Sequence, residues 1–294
     1  MKTIRWRAVA AATALASVLA TTACSSGDDE DAAEKITIGT LAWDESLAVT
    51  AVWERLLESQ GYEVEVKQLD PGPAYQALAA GQIDVFPEQW PNYFREYIDK
   101  YEKDLTTLGT WYDGTDLNLA VPEYVEGIDS IADLATRADD VSGRVIGIET
   151  GSELMKVLES DVVPGYGLDG LKVEASSTPA MLASLDAAIA KREPIVVTLW
   201  RPHWAFAKYP IKALEDPDGL FGGSGVIETV ATKGFDESQA EAAAILSRFA
   251  LTSDQLGQLE LAIQEAGKGK ADEGAKAWMS ENQELVDSWL ETSG

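Results

Sequence analysis

Strand-like and helix-like segments alternate along most of this chain, and this alternation constrains its fold more than any other feature. The apolar run Ile36–Gly39 predicts a buried strand, and the amphipathic segment SLAVTAVWERLLESQG predicts a helix that ends at Gly61. The segment PNYFREYIDKYEKDL predicts a helix with an aromatic stripe, and RVIGIETGSELMKVLESDVV has the pattern of a strand, a tight turn and a helix. Such alternation predicts the α/β class.

The predicted strands and helices fall into two groups, which we expect to form two lobes. Residues 36–117 together with residues 213–294 are predicted to form lobe I, and residues 118–212 are predicted to form lobe II as an insertion. The chain would then cross twice between the lobes, and these crossings would act as a hinge beside an inter-lobe cleft. After Phe235 the chain has helical patterns without strand-like runs.

Residues 1–23 predict a secretory signal peptide. Basic residues near the start precede an apolar run of small residues that is too short for a permanent transmembrane helix. Cys24, the single cysteine, follows this run and predicts a lipidated residue that anchors the protein on the outer side of a bacterial cell membrane; plain secretion is the alternative. Residues 24–35 are acidic and lack apolar periodicity, which indicates a solvated tether.

The composition argues against several classes of function. The chain carries 23 Lys and Arg against 50 Asp and Glu, and its formal net charge of −27 argues against nucleic-acid binding, because phosphates require a basic surface. One histidine and one cysteine leave no His-rich metal cluster and no Cys–His nucleophile pair. Neither a GxSxG motif nor a P-loop is present. We therefore expect no cofactor, no metal and no nucleic-acid partner.

Three predicted strands each end at a tryptophan: Trp43 in GTLAW, Trp90 in DVFPEQW and Trp200 in VVTLW. Ligands of open α/β sheets bind just outside the carboxyl ends of strands, so this recurrence favours an aromatic-lined pocket over packing alone. A core tryptophan instead lies on the apolar face of a helix, as we expect for Trp53 and Trp278. A quaternary ammonium group has no N–H to donate, but it binds the faces of aromatic rings. Sugar stacking is the alternative use of such rings.

A second anchor for a small ligand is predicted in GIETGSELM. Gly151 turns the predicted strand into a helix that begins near Ser152, and free N–H groups at a helix start favour an anion. The alternative is that Ser152 serves only as an N-cap. A cage needs such an anchor, since three rings at about 2 kcal/mol each fall short of the roughly 8 kcal/mol that micromolar affinity requires.

The sequence resembles the substrate-binding lipoproteins of glycine betaine and choline ABC importers. The resemblance is carried by AWDESLAVTAVW, LAAGQIDVFPEQW, GIETGSELM and PIVVTLWRPHW, and it extends over nearly all of the chain after Cys24. It implies a two-lobed, periplasmic-binding-protein-like (type II) fold with a hinge and an inter-lobe cleft. It also implies that the protein binds a small solute and performs no catalysis.

The resemblance assigns residues to the site. It implies that three tryptophans box the trimethylammonium group of the ligand: Trp43, Trp90 and Trp200. The backbone N–H groups of Glu153 and Leu154, which follow Ser152, would hold the carboxylate of a betaine. His203 and Trp204 belong to the PHW motif and would mainly support the cage.

Four positions depart from the betaine-binding or choline-binding pattern. Arg95 stands where betaine binders have a histidine on the carboxylate, and a guanidinium could make that contact; an exposed helix charge is the alternative. Glu45 matches the acid that holds the hydroxyl group in choline binders, whereas Leu117 replaces their tyrosine wall. Glu88 stands where betaine binders have a small residue, so a pocket with both glutamates would be more acidic than a simple betaine needs.

The expected function is that of a monomeric, non-enzymatic receptor on the outer side of the membrane. It would capture a quaternary ammonium solute, with glycine betaine first and choline, carnitine or proline betaine next, and would deliver it to an ABC permease. A secreted carbohydrate-active enzyme, with stacking tryptophans and paired acids, is the alternative of a different class and predicts turnover. A surface adhesion protein would bind no small ligand.

Overall fold

The structure is a computed structural model that describes residues 33–291. The predicted signal peptide, Cys24 and most of the predicted tether lie outside the described residues. Within residues 33–291 nine strands form a mixed sheet: β1 (Lys35–Thr40), β2 (Glu63–Gln68), β3 (Val85–Gln89), β4 (Leu105–Pro122), β5 (Arg144–Ile146), β6 (Lys172–Glu174), β7 (Val196–Arg201), β8 (Ile211–Ala213) and β9 (Gly225–Thr232).

Two parallel portions of the sheet are joined by antiparallel strands. The strand order is β2-β1-β3-β9-β4-β7-β5-β6, and β8 also pairs with β4. β1 runs parallel to β2 and β3, and β5 runs parallel to β6 and β7. β9 and β4 lie antiparallel between these two portions. Because parallel strands need helical crossovers, helices separate the strands along the chain, which is the alternation seen in the sequence.

β4 links the two portions through its length of 18 residues. Its residues 105–115 pair with β9, and its residues 116–120 pair with β7, where Leu117 lies opposite Trp200. Three register shifts interrupt the pairing with β9, and such irregularities bend a strand and increase its twist. The part of β4 before Leu117 was not predicted as a strand, because LTTLGTWYDGTD contains Gly, Asp and Thr without regular alternation.

Thirteen α-helical segments accompany the strands in the described residues, together with short 3₁₀ and π turns. α1 packs on β1, β2 and β3 and buries Trp53 completely. The segments are α1 (Asp44–Ser59), α2 (Pro71–Ala79), α3 (Arg95–Tyr101), α4 (Leu134–Arg137), α5 (Glu153–Val157), α6 (Val163–Gly165), α7 (Thr178–Lys191), α8 (Ala205–Lys208), α9 (Phe235–Ser238), α10 (Ala240–Arg248), α11 (Ser253–Ala266), α12 (Ala271–Glu281) and α13 (Gln283–Leu290).

Most local predictions are confirmed. The first strand and helix, the strand–turn–helix of RVIGIETGSELM and the helical C-terminal part are present as predicted. Trp53 and Trp278 are 0% and 2% exposed, which confirms them as core residues. The helix predicted from Pro91 begins only at Arg95, because the chain first makes a turn after Trp90. Between residues 33 and 291, no helix has both the length and the apolar character that a membrane span requires.

Candidate ligand-binding site

A cavity lies where several strands end and where the turn after β5 enters α5. It contains about 370 Å³ of space not filled by protein atoms, part of which is open to solvent. Its wall is mainly aromatic and apolar, with few polar groups. The lining residues are Trp43, Glu45, Trp90, Tyr93, Phe94, Leu117, Ile148, Ser152, Glu153, Leu154 and Trp200.

The three predicted cage tryptophans meet in this cavity. Trp43 is the N-cap residue of α1, Trp90 directly follows β3, and Trp200 lies near the end of β7. The ring centroid of Trp43 lies 6.4 Å from that of Trp90, with the planes at 85°, and 6.4 Å from that of Trp200, at 52°. The rings therefore present differently oriented faces and edges around one space, which is the arrangement that a compact organic cation requires.

Two further aromatic residues, Tyr93 and Phe94, line the cavity and were missed as site residues. The backbone N–H groups of both donate to the carbonyl of Trp90, and the resulting turn places both rings at the cavity. Phe94 stacks on Trp43, with ring centroids 6.3 Å apart and planes at 23°. Tyr93 packs on Trp90, with ring centroids 6.0 Å apart. The signal in the sequence was Pro91-Asn92, a pair typical of turns, which separates these rings from the helical stripe.

Two of the three indoles each donate a hydrogen bond to a different buried carboxyl group. The Nε1–H of Trp90 donates to Oε2 of Glu88 at 2.7 Å, and the Nε1–H of Trp200 donates to Oε2 of Glu45 at 3.1 Å. Both glutamates are 0% exposed, and Oε1 of each has no hydrogen-bond partner. Glu45 lines the cavity, whereas Glu88 lies behind Trp90 and does not. Both indole N–H groups are thus occupied by carboxyl acceptors of the protein, which leaves the ring faces for a cation.

Burial raises the pKa of both carboxyl groups. The pKa of Glu88 rises to about 8 because desolvation disfavours the charged form, and the hydrogen bond from Trp90 offsets this only in part. The pKa of Glu45 is raised well above its ordinary value, first by burial and then by the negative charges of Glu88 and Glu260. Each group therefore holds a proton at pH values where an exposed glutamate is ionised.

His203 lies behind Trp200 and does not line the cavity. Its ring meets that of Trp200 edge-on, with centroids 4.7 Å apart and planes at 89°. Its Nδ1 accepts the backbone N–H of Ala205 at 3.1 Å, and its Nε2 lies 3.3 Å from Oδ2 of Asp44. These contacts fix the orientation of Trp200 from behind. The arrangement is consistent with the supporting role that the family resemblance implied.

The turn before α5 brings Ser152, Glu153 and Leu154 to the cavity. The hydroxyl of Ser152 accepts the N–H of Met155 at 3.3 Å, so Ser152 is an N-cap. The N–H groups of Glu153 and Leu154 belong to the first turn of the helix, where no acceptor exists inside the helix. Ser152 and Glu153 therefore form a polar edge of a cavity whose wall is otherwise mainly aromatic and apolar.

The structure does not bring Arg95 into the cavity. Arg95 begins α3 and is exposed, and it is absent from the residues that line the space. The physical reason is the turn after Trp90, which buries Phe94 and leaves the next side chain on the solvent side. Leu117, which stands where choline binders have a tyrosine, does line the cavity but adds no ring.

Residues 34–281 match the family described as the substrate binding domain of the ABC-type glycine betaine transport system, OpuAC. The chain belongs to this family. Such a family consists of extracytoplasmic substrate-binding proteins that work with an ABC permease, and it is not a family of enzymes. Among its relatives, the glycine betaine/carnitine transport binding protein GbuC of Listeria monocytogenes is 30% identical over 155 residues, which are 52% of this chain and 51% of the relative. The chain thus matches about half the length of that protein.

Two solved structures share the fold. Lactococcal OpuAC, in its closed-liganded conformation complexed with glycine betaine, is 33% identical, with a TM-score of 0.80 over 88% of this chain and 100% of that chain. An ABC-transporter choline binding protein in complex with choline is 25% identical, with a TM-score of 0.77 over 87% of this chain and 91% of that chain. These similarities confirm the predicted α/β class and the two-lobed fold.

Proposed function

We propose that this protein is the receptor of an ABC importer for quaternary ammonium solutes, and that glycine betaine is its main ligand. The observation that carries the proposal is the meeting of Trp43, Trp90 and Trp200 at 6.4 Å centroid distances around one cavity. A desolvated cation on an aromatic face gains about 2 kcal/mol or more. Phe94, stacked on Trp43, holds that ring in place.

The carboxylate of glycine betaine would bind at the polar edge of the cavity. The N–H groups of Glu153 and Leu154 are the donors available to it there, and the Ser152 cap holds the turn that presents them. The similarity to a structure complexed with glycine betaine supports this ligand. Water exclusion on closure would strengthen both the cation–π contacts and the hydrogen bonds.

Choline is the second candidate, and one observation favours it. Glu45 lines the cavity, and its Oε1 is buried and has no hydrogen-bond partner. This oxygen is therefore free to accept a hydrogen bond from a ligand hydroxyl. The similarity to a choline binding protein in complex with choline supports the same possibility. Carnitine carries both a hydroxyl and a carboxylate and would use Glu45 together with the α5 edge.

Ligand capture would close two lobes over the cavity. Lobe I would comprise residues 36–117 and 213–294, and lobe II would comprise residues 118–212. The change of pairing partner in β4, from β9 at Thr115 to β7 at Asp116, supports a boundary close to this point. With these bounds the chain would cross between the lobes within β4, after residue 117, and within β8, after residue 212, and these two crossings would form the hinge.

The receptor would act as a monomer held to the outer side of the cell membrane by lipid on Cys24. The acidic tether would give the lobes freedom to reach the permease, and the charge of −27 would keep them soluble. No chemical conversion of the ligand is expected. The sugar-processing alternative would require turnover of a saccharide.

Calorimetric titration of the purified protein tests the proposal. Glycine betaine, choline, carnitine and proline betaine are the ligands, and maltose is the control. Tight binding of glycine betaine without product formation is the expected result. Binding of choline alone would favour choline as the main ligand and Glu45 as its hydroxyl acceptor. Binding of maltose, with no binding of any quaternary amine, would overturn the proposal.

A further inference from the structure

Three acidic side chains of the described residues are buried, and one of them, Glu45, lines the cavity. Glu45 comes from α1, Glu88 from β3 and Glu260 from α11, and they are 0%, 0% and 2% exposed. They are close enough to act on one another electrically, because the charges of Glu88 and Glu260 both disfavour ionisation of Glu45. Glu88 also disfavours ionisation of Glu260. We call Glu45, Glu88 and Glu260 the acid cluster.

The acid cluster has no positive partner within the described part of the chain. Its side-chain hydrogen bonds come from the indoles of Trp90 and Trp200, and no lysine or arginine of the described residues forms an ion pair with it. Four of its six carboxyl oxygens lack any hydrogen-bond partner: Oε1 of Glu45, Oε1 of Glu88 and both oxygens of Glu260. Buried charges of one sign without compensation are strongly unfavourable.

The other titratable groups around the acid cluster do not neutralise it. Asp44 adds a further acidic group, which disfavours ionisation of both Glu45 and Glu260. Burial, and after it the negative charge of Glu88, raises the pKa of the Tyr75 hydroxyl, so this group stays neutral. His203, the only histidine, has its Nε2 against Asp44 at 3.3 Å rather than against the cluster. Burial raises the pKa of Glu260 well above its ordinary value, and the backbone of Trp204 offsets this only in part.

We propose that the acid cluster holds protons in the ligand-free receptor and releases a proton when a quaternary ammonium cation enters the cage. The cation supplies the fixed positive charge that the cluster lacks, at the wall where Glu45 lines the cavity. The proton passes from a glutamic acid carboxyl to solvent, and the carboxylate that remains faces the bound cation. This inference rests on the proposed function, because it needs a cation in the cage.

The coupling has a defined sign. Release of a proton on binding makes affinity rise with pH, by up to about tenfold per pH unit for one proton, between the pKa of the cluster in the complex and its pKa in the free protein. The pKa of Glu88 in the free protein is about 8, so the rise in affinity that depends on Glu88 should end near this pH. Choline, with net positive charge, should show the full effect. Glycine betaine should show less, because its own carboxylate partly offsets its ammonium charge at the cluster.

Calorimetry at pH 7 in two buffers of different ionisation enthalpy counts the protons directly. Choline, glycine betaine and 3,3-dimethylbutanol, the neutral isostere of choline, are titrated into the purified protein. The expected release is close to one proton for choline and less for glycine betaine and for the isostere. Binding of choline or betaine without any buffer dependence would overturn the proton coupling and leave the proposed function intact. Absence of binding by any quaternary amine would overturn both.

Variants locate the proton. Glu88→Gln and Glu260→Gln preserve shape and remove one titratable group each, and at least one of them should reduce the proton count for choline by half or more. Glu58→Gln, at an exposed position of α1, is the matched control and should leave the count unchanged. If either cluster variant fails to fold, infrared spectroscopy of the unmodified protein replaces it: a protonated-carboxyl band at pH 7 should weaken when choline binds. An unchanged band would contradict the proposal.

Discussion

The indole N–H of Trp200 donates to Oε2 of Glu45 over 3.1 Å, although 155 residues separate the two in sequence. The contact joins a ring of the cage to a carboxyl group that is fully buried and lines the same cavity. It occupies the N–H of the ring with a protein acceptor and leaves Oε1 of Glu45 without a hydrogen-bond partner. One hydrogen bond therefore connects the orientation of the aromatic wall with the protonation of an acid beside it.

Replacement of Trp200 by alanine should weaken binding of glycine betaine at least tenfold, because a desolvated cation–π contact of about 2 kcal/mol is lost. The affinity of Trp200→Phe should lie between those of the unmodified protein and Trp200→Ala, since phenylalanine keeps an aromatic face but lacks the N–H that donates to Glu45. Calorimetry measures both. Trp278→Phe, a change in the core of α12 away from the cavity, is the control. Unchanged affinity in Trp200→Ala would exclude this ring from the cage.

Substitution of Glu45 by glutamine should distinguish hydroxylated from carboxylated ligands. Choline should bind about tenfold more weakly, because its hydroxyl loses a carboxylate acceptor and a hydrogen bond to a charged group contributes about 1.5–3 kcal/mol. Glycine betaine should be affected less than choline, since its carboxylate gains nothing from an acidic neighbour. Competition binding with both ligands on the same preparation measures the ratio. Equal losses for the two would argue against a hydroxyl contact at Glu45.

The ligand-free protein should lose stability as pH rises from about 5 to about 9. The folded state raises the pKa of Glu45, Glu88 and Glu260, so it keeps protons that glutamates of the unfolded chain, with a pKa near 4.3, have already released. Because the unfolded chain binds fewer protons there, the free energy of unfolding falls with pH, by up to about 1.4 kcal/mol per pH unit for each group. Urea denaturation across this range measures the slope.

In Glu88→Gln the free energy of unfolding should fall less steeply with pH, because glutamine has no proton to lose at this position. Glu58→Gln, on the exposed face of α1, should leave the slope unchanged. Saturating choline should also flatten the dependence, because the bound cation stabilises the ionised carboxyl groups. A free energy of unfolding that increases over this pH range would contradict the assignment of protons to the acid cluster.

Arg95→Ala should change the affinity for glycine betaine by less than twofold. Arg95 is exposed at the start of α3 and does not line the cavity, so its removal costs only a screened, long-range charge effect. Measurement at low and moderate salt separates that effect from a direct contact. A tenfold loss for glycine betaine with choline unaffected would show that Arg95 reaches the carboxylate when the lobes close.

Cys24→Ser should release the protein from the membrane fraction of the bacterium that expresses it. The proposed attachment point for lipid is the single thiol at the end of the predicted signal peptide, and a serine there would offer no thiol for lipidation. Fractionation followed by immunoblotting measures the distribution. Retention of the variant in the membrane fraction would contradict lipid anchoring through Cys24.

Much of the site could be predicted because local patterns encode it. Tryptophans at the ends of three strands indicated the aromatic wall of the cavity, and the glycine turn before Ser152 indicated its polar edge. Tyr93 and Phe94 were missed as cavity residues because a turn, rather than the predicted helix, orients them. Arg95 was predicted at the site from a family position, and the same turn leaves it in solvent.

The sequence by itself determined the α/β class, the main helices and strands and the aromatic character of the site, because periodicity and strand ends depend on neighbours along the chain. Only the tertiary structure decided that Glu88 and Glu260 are buried with Glu45. Among fifty acidic residues, nothing local distinguishes a solvated carboxylate from a buried one. Burial arises when α1, β3 and α11 pack together, and the resulting desolvation changes the protonation of the groups that they enclose.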